Sequence, residues 1–161
     1  MDNSKCFHSQ TFGKCDLMDL RKHILAYIEK EPDYQYRLVI GTDSQPKNSS
    51  ATDFVIAVVV HRVGAGGIYF WKRLVENRQY VLKQRIYQEA IFSLTTAEDF
   101  VNSFAGNGVS KYDVEIHVDI GKYGETRDMI AEIVGMIRAS GYRVKTKPDS
   151  YAASKVADKH T

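Results

Sequence analysis

The chain has 161 residues, 43% of them hydrophobic and 26% charged, and a formal net charge of +2. That mix suits one globular domain with a real core and excludes a disordered chain. No run approaches the roughly 18 apolar residues of a membrane span, so no membrane partner is expected. No leader pattern opens the sequence, which makes the cytoplasm the expected location. A net charge this small leaves any nucleic-acid partner to a local basic patch.

The first dozen residues are polar and aperiodic and read as an arm. Cys6 and Cys15 lie near the N-terminus. With His23 they lack the paired short spacings of structural zinc, so free reduced thiols are expected. Asp16 precedes LMDLRKHILAYIEK, where Leu17, Leu20, Ile24, Tyr27 and Ile28 recur at helical spacing with Asp19 in the first turn. Pro32 and Asp33 stop that helix. A first strand is predicted from about Tyr36 to Thr42, followed by a polar loop, SQPKNSSATD.

FVIAVVVHRV, a glycine-rich GAGG turn and IYFWKRLV then read as an antiparallel hairpin. From near Tyr80, the residues Leu82, Ile86, Ala90, Ser93, Ala97, Phe100 and Phe104 share one helical face. Thr95 to Glu98 also reads as a fresh capping box, which leaves open two helices meeting near Leu94. GNGVSKYD breaks the pattern, and VEIHVD is the fourth strand. A helix follows over roughly Thr126 to Ala139, then a short strand, YRVKTK. After Pro148, Asp149 or Ser150 caps a final helix, YAASKVADKHT.

This order predicts a single α/β domain over 1–161, with an arm and helix over about 1–32. Its mixed sheet of five strands is flanked by helices, and the first strand is central, between the second and the fourth.

RLVIGTDSQ and VEIHVDIG each run an apolar strand into an acid, Asp43 and Asp119. Ligands of such sheets gather at the carboxyl ends of strands where the order reverses, and these two strands are neighbours there. Side by side, the two carboxylates repel unless a proton or cation lies between them. Hard divalent ions such as Mg²⁺ or Mn²⁺ take oxygen ligands of this kind. Glu89 sits on the edge of an apolar helical face, and an acid turned toward the core is costly without a partner. Asp158 lies among Ala153, Ser154 and Ala157, small residues that let the last helix approach the sheet. Asp149 competes for that role, although its place suits a cap.

Lys145, Lys147, Lys155, Lys159 and His160 cluster near the last strand and helix and are the candidate phosphate contacts. The plainer alternatives are ordinary turn acids and a solvated basic face. Trp71, Tyr69 and Tyr123 either stack on bases or pack within the fold.

Three segments, IGTDSQ, HVDIGKYGETRDMI and KPDSYAASKVADKHT, resemble the signature segments of the ribonuclease H-like YkuK family, a bacterial group. The resemblance runs from about the first helix to the last residue. It implies the ribonuclease H-like superfold, in which acids from the first strand, the first helix after the hairpin, the fourth strand and the last helix bind two metal ions. By position these are Asp43, Glu89, Asp119 and Asp158, with Glu89 resting on helix position alone.

The implied activity is that of a nuclease dependent on two Mg²⁺ or Mn²⁺ ions, acting on phosphodiester bonds of RNA or an RNA–DNA hybrid. Two rivals stay open because this superfold hosts other chemistries. One is a nucleic-acid-binding scaffold without catalysis. The other, suggested by VDIGKYGET, is an ATP-binding phosphotransferase-like domain; such proteins enclose ATP between two domains, where 161 residues supply one.

Overall fold

The computed structural model describes residues 6–104, 113–121 and 124–150. A short hairpin opens it, β1 (Phe7–Ser9) paired with β2 (Gly13–Cys15). Helix α1 (Leu17–Lys30) starts at a capping box, in which Asp16 accepts from the Asp19 backbone N–H and Asp19 accepts from that of Asp16. Three long antiparallel strands follow: β3 (Tyr36–Asn48), β4 (Ala51–Arg62) and β5 (Gly67–Glu76). Helix α2 (Leu82–Ser103) leads to β6 (Val114–His117). A 3₁₀ turn at Arg127–Met129 runs into α3 (Ile130–Ala139), and β7 (Arg143–Lys145) follows. Among the described residues, no helix is long and apolar enough to cross a membrane.

The sheet order is β2-β1-β5-β4-β3-β6-β7, so β3 lies between the antiparallel β4 and the parallel β6. Among the described residues, seven strands replace the expected five. The two additional strands come from the segment expected to be an arm. Phe7 and Cys15 are almost wholly buried there, and His8 pairs with Trp71 at the edge of β5. The segment lacks strand periodicity because each of its strands has only three residues.

The expected polar loop after Thr42 is also strand. Pairing continues through Ser44–Phe54, Gln45–Asp53 and Pro46–Thr52 to Asn48–Ala51, with an irregularity between Pro46 and Asn48. Pro46 is tolerated where the ladder shifts. Helix α2 is one continuous helix. Its buried face, Ile86, Ala90, Ser93, Ala97 and Phe100, runs unbroken, and Glu98 accepts from the Tyr142 hydroxyl. The expected final helix lies outside the described residues.

Alternation along β3 sorts its side chains. Leu38 and Ile40 join the large core beneath the helices, together with Ile56, Val58, Phe100, Ile116 and Ile133. Val39 faces the other way, with Ala57, Val59 and Tyr69. Trp71 meets His8 with ring centroids 4.8 Å apart. The two described aromatics considered for base stacking therefore have packing partners, and Tyr123 lies outside the described residues. Cys6 and Cys15 are free thiols.

Candidate functional site

Thr42 and Ser44 continue the helix-facing side of β3, and both meet α2. The hydroxyls of Thr42 and Ser93 share a buried hydrogen bond of 2.8 Å. Ser44 Oγ donates to Glu89 Oε1 at 2.5 Å, and Arg85 Nη1 donates to the Ser44 carbonyl at 3.1 Å. These contacts fix the middle of α2 against the strand that carries Asp43.

Glu89 is only 6% exposed. Burial pushes its carboxyl from the ordinary 4.5 up to about 8. The Ser44 hydrogen bond and Arg85 oppose that rise, while the charges of Asp43 and Asp119 add to it. Glu89 is therefore mainly protonated at neutral pH, in a place where two other carboxylates bear on it.

Asp43 and Asp119 are both partly exposed. The last parallel pair between β3 and β6 is Gly41–His117. Asp43, still on β3, and Asp119, just past β6, are each two residues farther along the chain. Beyond β6 and β7 the two segments stay bonded with a shifted register, Val118 N–H donating to the Lys145 carbonyl and Lys147 N–H to the Ile120 carbonyl. That register brings Lys147 Nζ within 3.0 Å of Asp119 Oδ1. Gly121 allows the approach, since a Cβ there would sit 3.3 Å from Lys147 Cβ.

Alternation also separates the roles of neighbouring residues. Ser44 makes the direct contact with Glu89, whereas Asp43 acts on it through charge. Among the described residues, no group of three or more His, Cys, Asp or Glu side chains is placed to hold a metal ion. The donor chemistry nevertheless fits a hard divalent cation. Asp43, Glu89 and Asp119 each offer carboxyl oxygens, and the buried one carries a proton that a cation would displace.

Asp158, Lys155, Lys159 and His160 lie outside the described residues. Lys145 is exposed, and Lys147 is ion-paired to Asp119. Asp149 backbone N–H donates to the Thr146 carbonyl in the turn after β7.

Sequence reasoning missed Ser44, which reads as a turn residue until β3 is known to continue past it. It also missed the Lys147–Asp119 pair, which depends on the β6–β7 register. On the second face of the sheet, Glu115 Oε1 and His117 Nε2 are 2.6 Å apart and buried. Hydrogen bonding from His117, aided by nearby Arg143 and Lys145, holds the Glu115 carboxyl below its ordinary range.

A family profile described as ribonuclease H-like matches residues 19–161. A Bacillus subtilis (strain 168) protein, "Uncharacterized protein YkuK", is 33% identical over 173 aligned residues, covering 100% of this chain and 99% of the relative. No solved structure matches the chain.

Proposed function

The chain belongs to the ribonuclease H-like family, and from that premise we propose that it hydrolyses phosphodiester bonds in nucleic acid, RNA or an RNA–DNA hybrid, at the acids Asp43, Glu89 and Asp119. The observation that carries this reading is Glu89, a carboxyl held almost fully buried where the charges of Asp43 and Asp119 bear on it, and pushed up to about 8. A buried acid with acidic neighbours is costly to the fold and typical of a functional site.

Asp43, Glu89 and Asp119, together with Asp158, would hold Mg²⁺ or Mn²⁺, which supplies a water of lowered pKa and stabilises charge on the leaving oxygen. Ser44 orients the Glu89 carboxyl from below. Glu89 would have to give up its proton to serve as a ligand, which would couple binding to pH. Lys147, now paired with Asp119, is a described cation that can turn to a substrate phosphate. Lys145 stands one same-face step earlier on β7, and Lys155, Lys159 and His160 complete the proposed contact set.

The test is a cleavage assay on labelled RNA, RNA–DNA hybrid and single-stranded DNA, with and without Mg²⁺ or Mn²⁺. Wild-type protein should cleave only with the ion present. Asp43→Asn should lose most activity while keeping its fold, because a neutral amide is a weak ligand for a hard cation. Equal cleavage by both proteins would trace the activity to a contaminant. Intact binding without cleavage by the wild type would favour the scaffold reading.

A further inference from the structure

Strands β3, β6 and β7 arrange charge in rows on the sheet face opposite α1, α2 and α3. Val39, Glu115 and Arg143 pair across in one row, and Gly41, His117 and Lys145 in the next. Arg37 precedes Val39 by one same-face step, and Arg138 comes from the last turn of α3. Arg37, Arg138, Arg143 and Lys145 line a cavity of about 470 Å³ around Glu115. A smaller cavity of about 150 Å³ shares Arg37, Glu115 and Lys145 and reaches Asp149.

The cations exceed what the local acids need. Glu115 already has His117 at 2.6 Å and Arg143 at 3.8 Å. Among the described residues, Arg37, Arg138 and Lys145 form no ion pair with an acid. Four cations around one satisfied carboxylate leave an open, positively charged cavity, and arginine forks match phosphate oxygens. Its volume falls in the range of small-molecule sites, about 300–1,000 Å³, so it admits more than a bare ion.

We propose that this cavity binds the phosphomonoester of a nucleotide, the phosphorylated end of the nucleic-acid strand that is cut at the acids. A monoester carries nearly two negative charges at neutral pH, against one for a backbone diester, and so gains more from three cations that lack an ion pair. The cavity and two of the acids lie close along the chain. Arg143 and Lys145 line the cavity, and Lys147, ion-paired to Asp119, is four residues past Arg143, at most roughly 13 Å at about 3.3 Å per residue. A short stretch of extended strand bridges that span. This assignment rests on the hydrolytic reading for the strand-end identity, but not for phosphate binding itself.

The test uses the full chain carrying Asp43→Asn, so that binding is read without turnover. Fluorescence anisotropy compares an internally labelled RNA oligonucleotide bearing a 5′-phosphate, a 3′-phosphate or neither, at one salt concentration. Calorimetry with AMP and with inorganic phosphate runs beside it. One phosphorylated end should bind about tenfold more tightly than the bare oligonucleotide, the gain from charge-assisted hydrogen bonds. Adding Arg37→Gln and Arg138→Gln should reduce that ratio to near one, with an unchanged melting temperature because both arginines are exposed.

AMP binding without any end preference would overturn the strand-end assignment in favour of a free nucleotide. No end preference and no AMP binding would overturn the site. End preference in a protein whose wild type cuts nothing would keep this site and remove only the hydrolytic reading.

Discussion

Glu89→Gln is the substitution whose outcome the buried acid most sharply dictates. In the folded chain the Glu89 carboxyl titrates at about 8, against an ordinary 4.5. At 1.36 kcal/mol for each pK step, the fold disfavours the ionised form by roughly 4–5 kcal/mol, an upper figure because local relaxation lowers it. Below about pH 4.5 the carboxyl is neutral in both folded and unfolded chains, and this stability is fully present. As pH rises toward 8 the unfolded chain ionises and the folded chain does not, so stability falls. Above about 8 the loss is complete.

Glutamine is neutral throughout and keeps an oxygen to accept from Ser44. Wild type and variant should therefore melt together near pH 4.5, and the variant should melt higher at pH 8.5. For a chain of this length the separation is on the order of 10 °C. Thermal melts followed by circular dichroism from pH 4.5 to 9 read the difference. Mn²⁺ added at pH 8.5 should raise the wild type more than the variant, since the ion binds the ionised acid. A difference that stays constant across this pH range would refute the assignment of a buried, proton-holding Glu89.

Ser44→Ala removes a hydrogen bond that favours the ionised carboxyl, so Glu89 should titrate still higher; carboxyl ¹³C shifts measure this, and an unchanged or lower midpoint contradicts the contact. Thr42→Val strands the Ser93 hydroxyl in the core and should cost about 1–3 kcal/mol in chemical denaturation. Phe7→Ala empties a buried site between the N-terminal hairpin and the core and should cost about 3–5 kcal/mol. A loss below about 0.5 kcal/mol there would mean that the hairpin does not contribute to the cooperative fold.

Local pattern determined the parts of this protein whose structure is repeated along the chain. Helical spacing in LMDLRKHILAYIEK and the Asp16 cap specify α1, and the β-branched run FVIAVVVHRV specifies a central strand. The chemical types at Asp43, Glu89 and Asp119 were legible because an acid at the end of an apolar run, or on an apolar face, breaks the local rule. Tertiary structure decided the rest, because those features depend on partners distant in sequence. Phe7 and Cys15 become strand residues only beside the edge of β5 and α1. Ser44 becomes the partner of Glu89 only because pairing with Phe54 carries β3 past the expected loop. Lys147 reaches Asp119 through the β6–β7 register. Arg37, Arg138, Arg143 and Lys145 share a cavity only once parallel pairing sets β3, β6 and β7 side by side. Charge leaves no periodic trace along a chain, so only the packed sheet shows which cations an acid has satisfied and which remain available to a ligand.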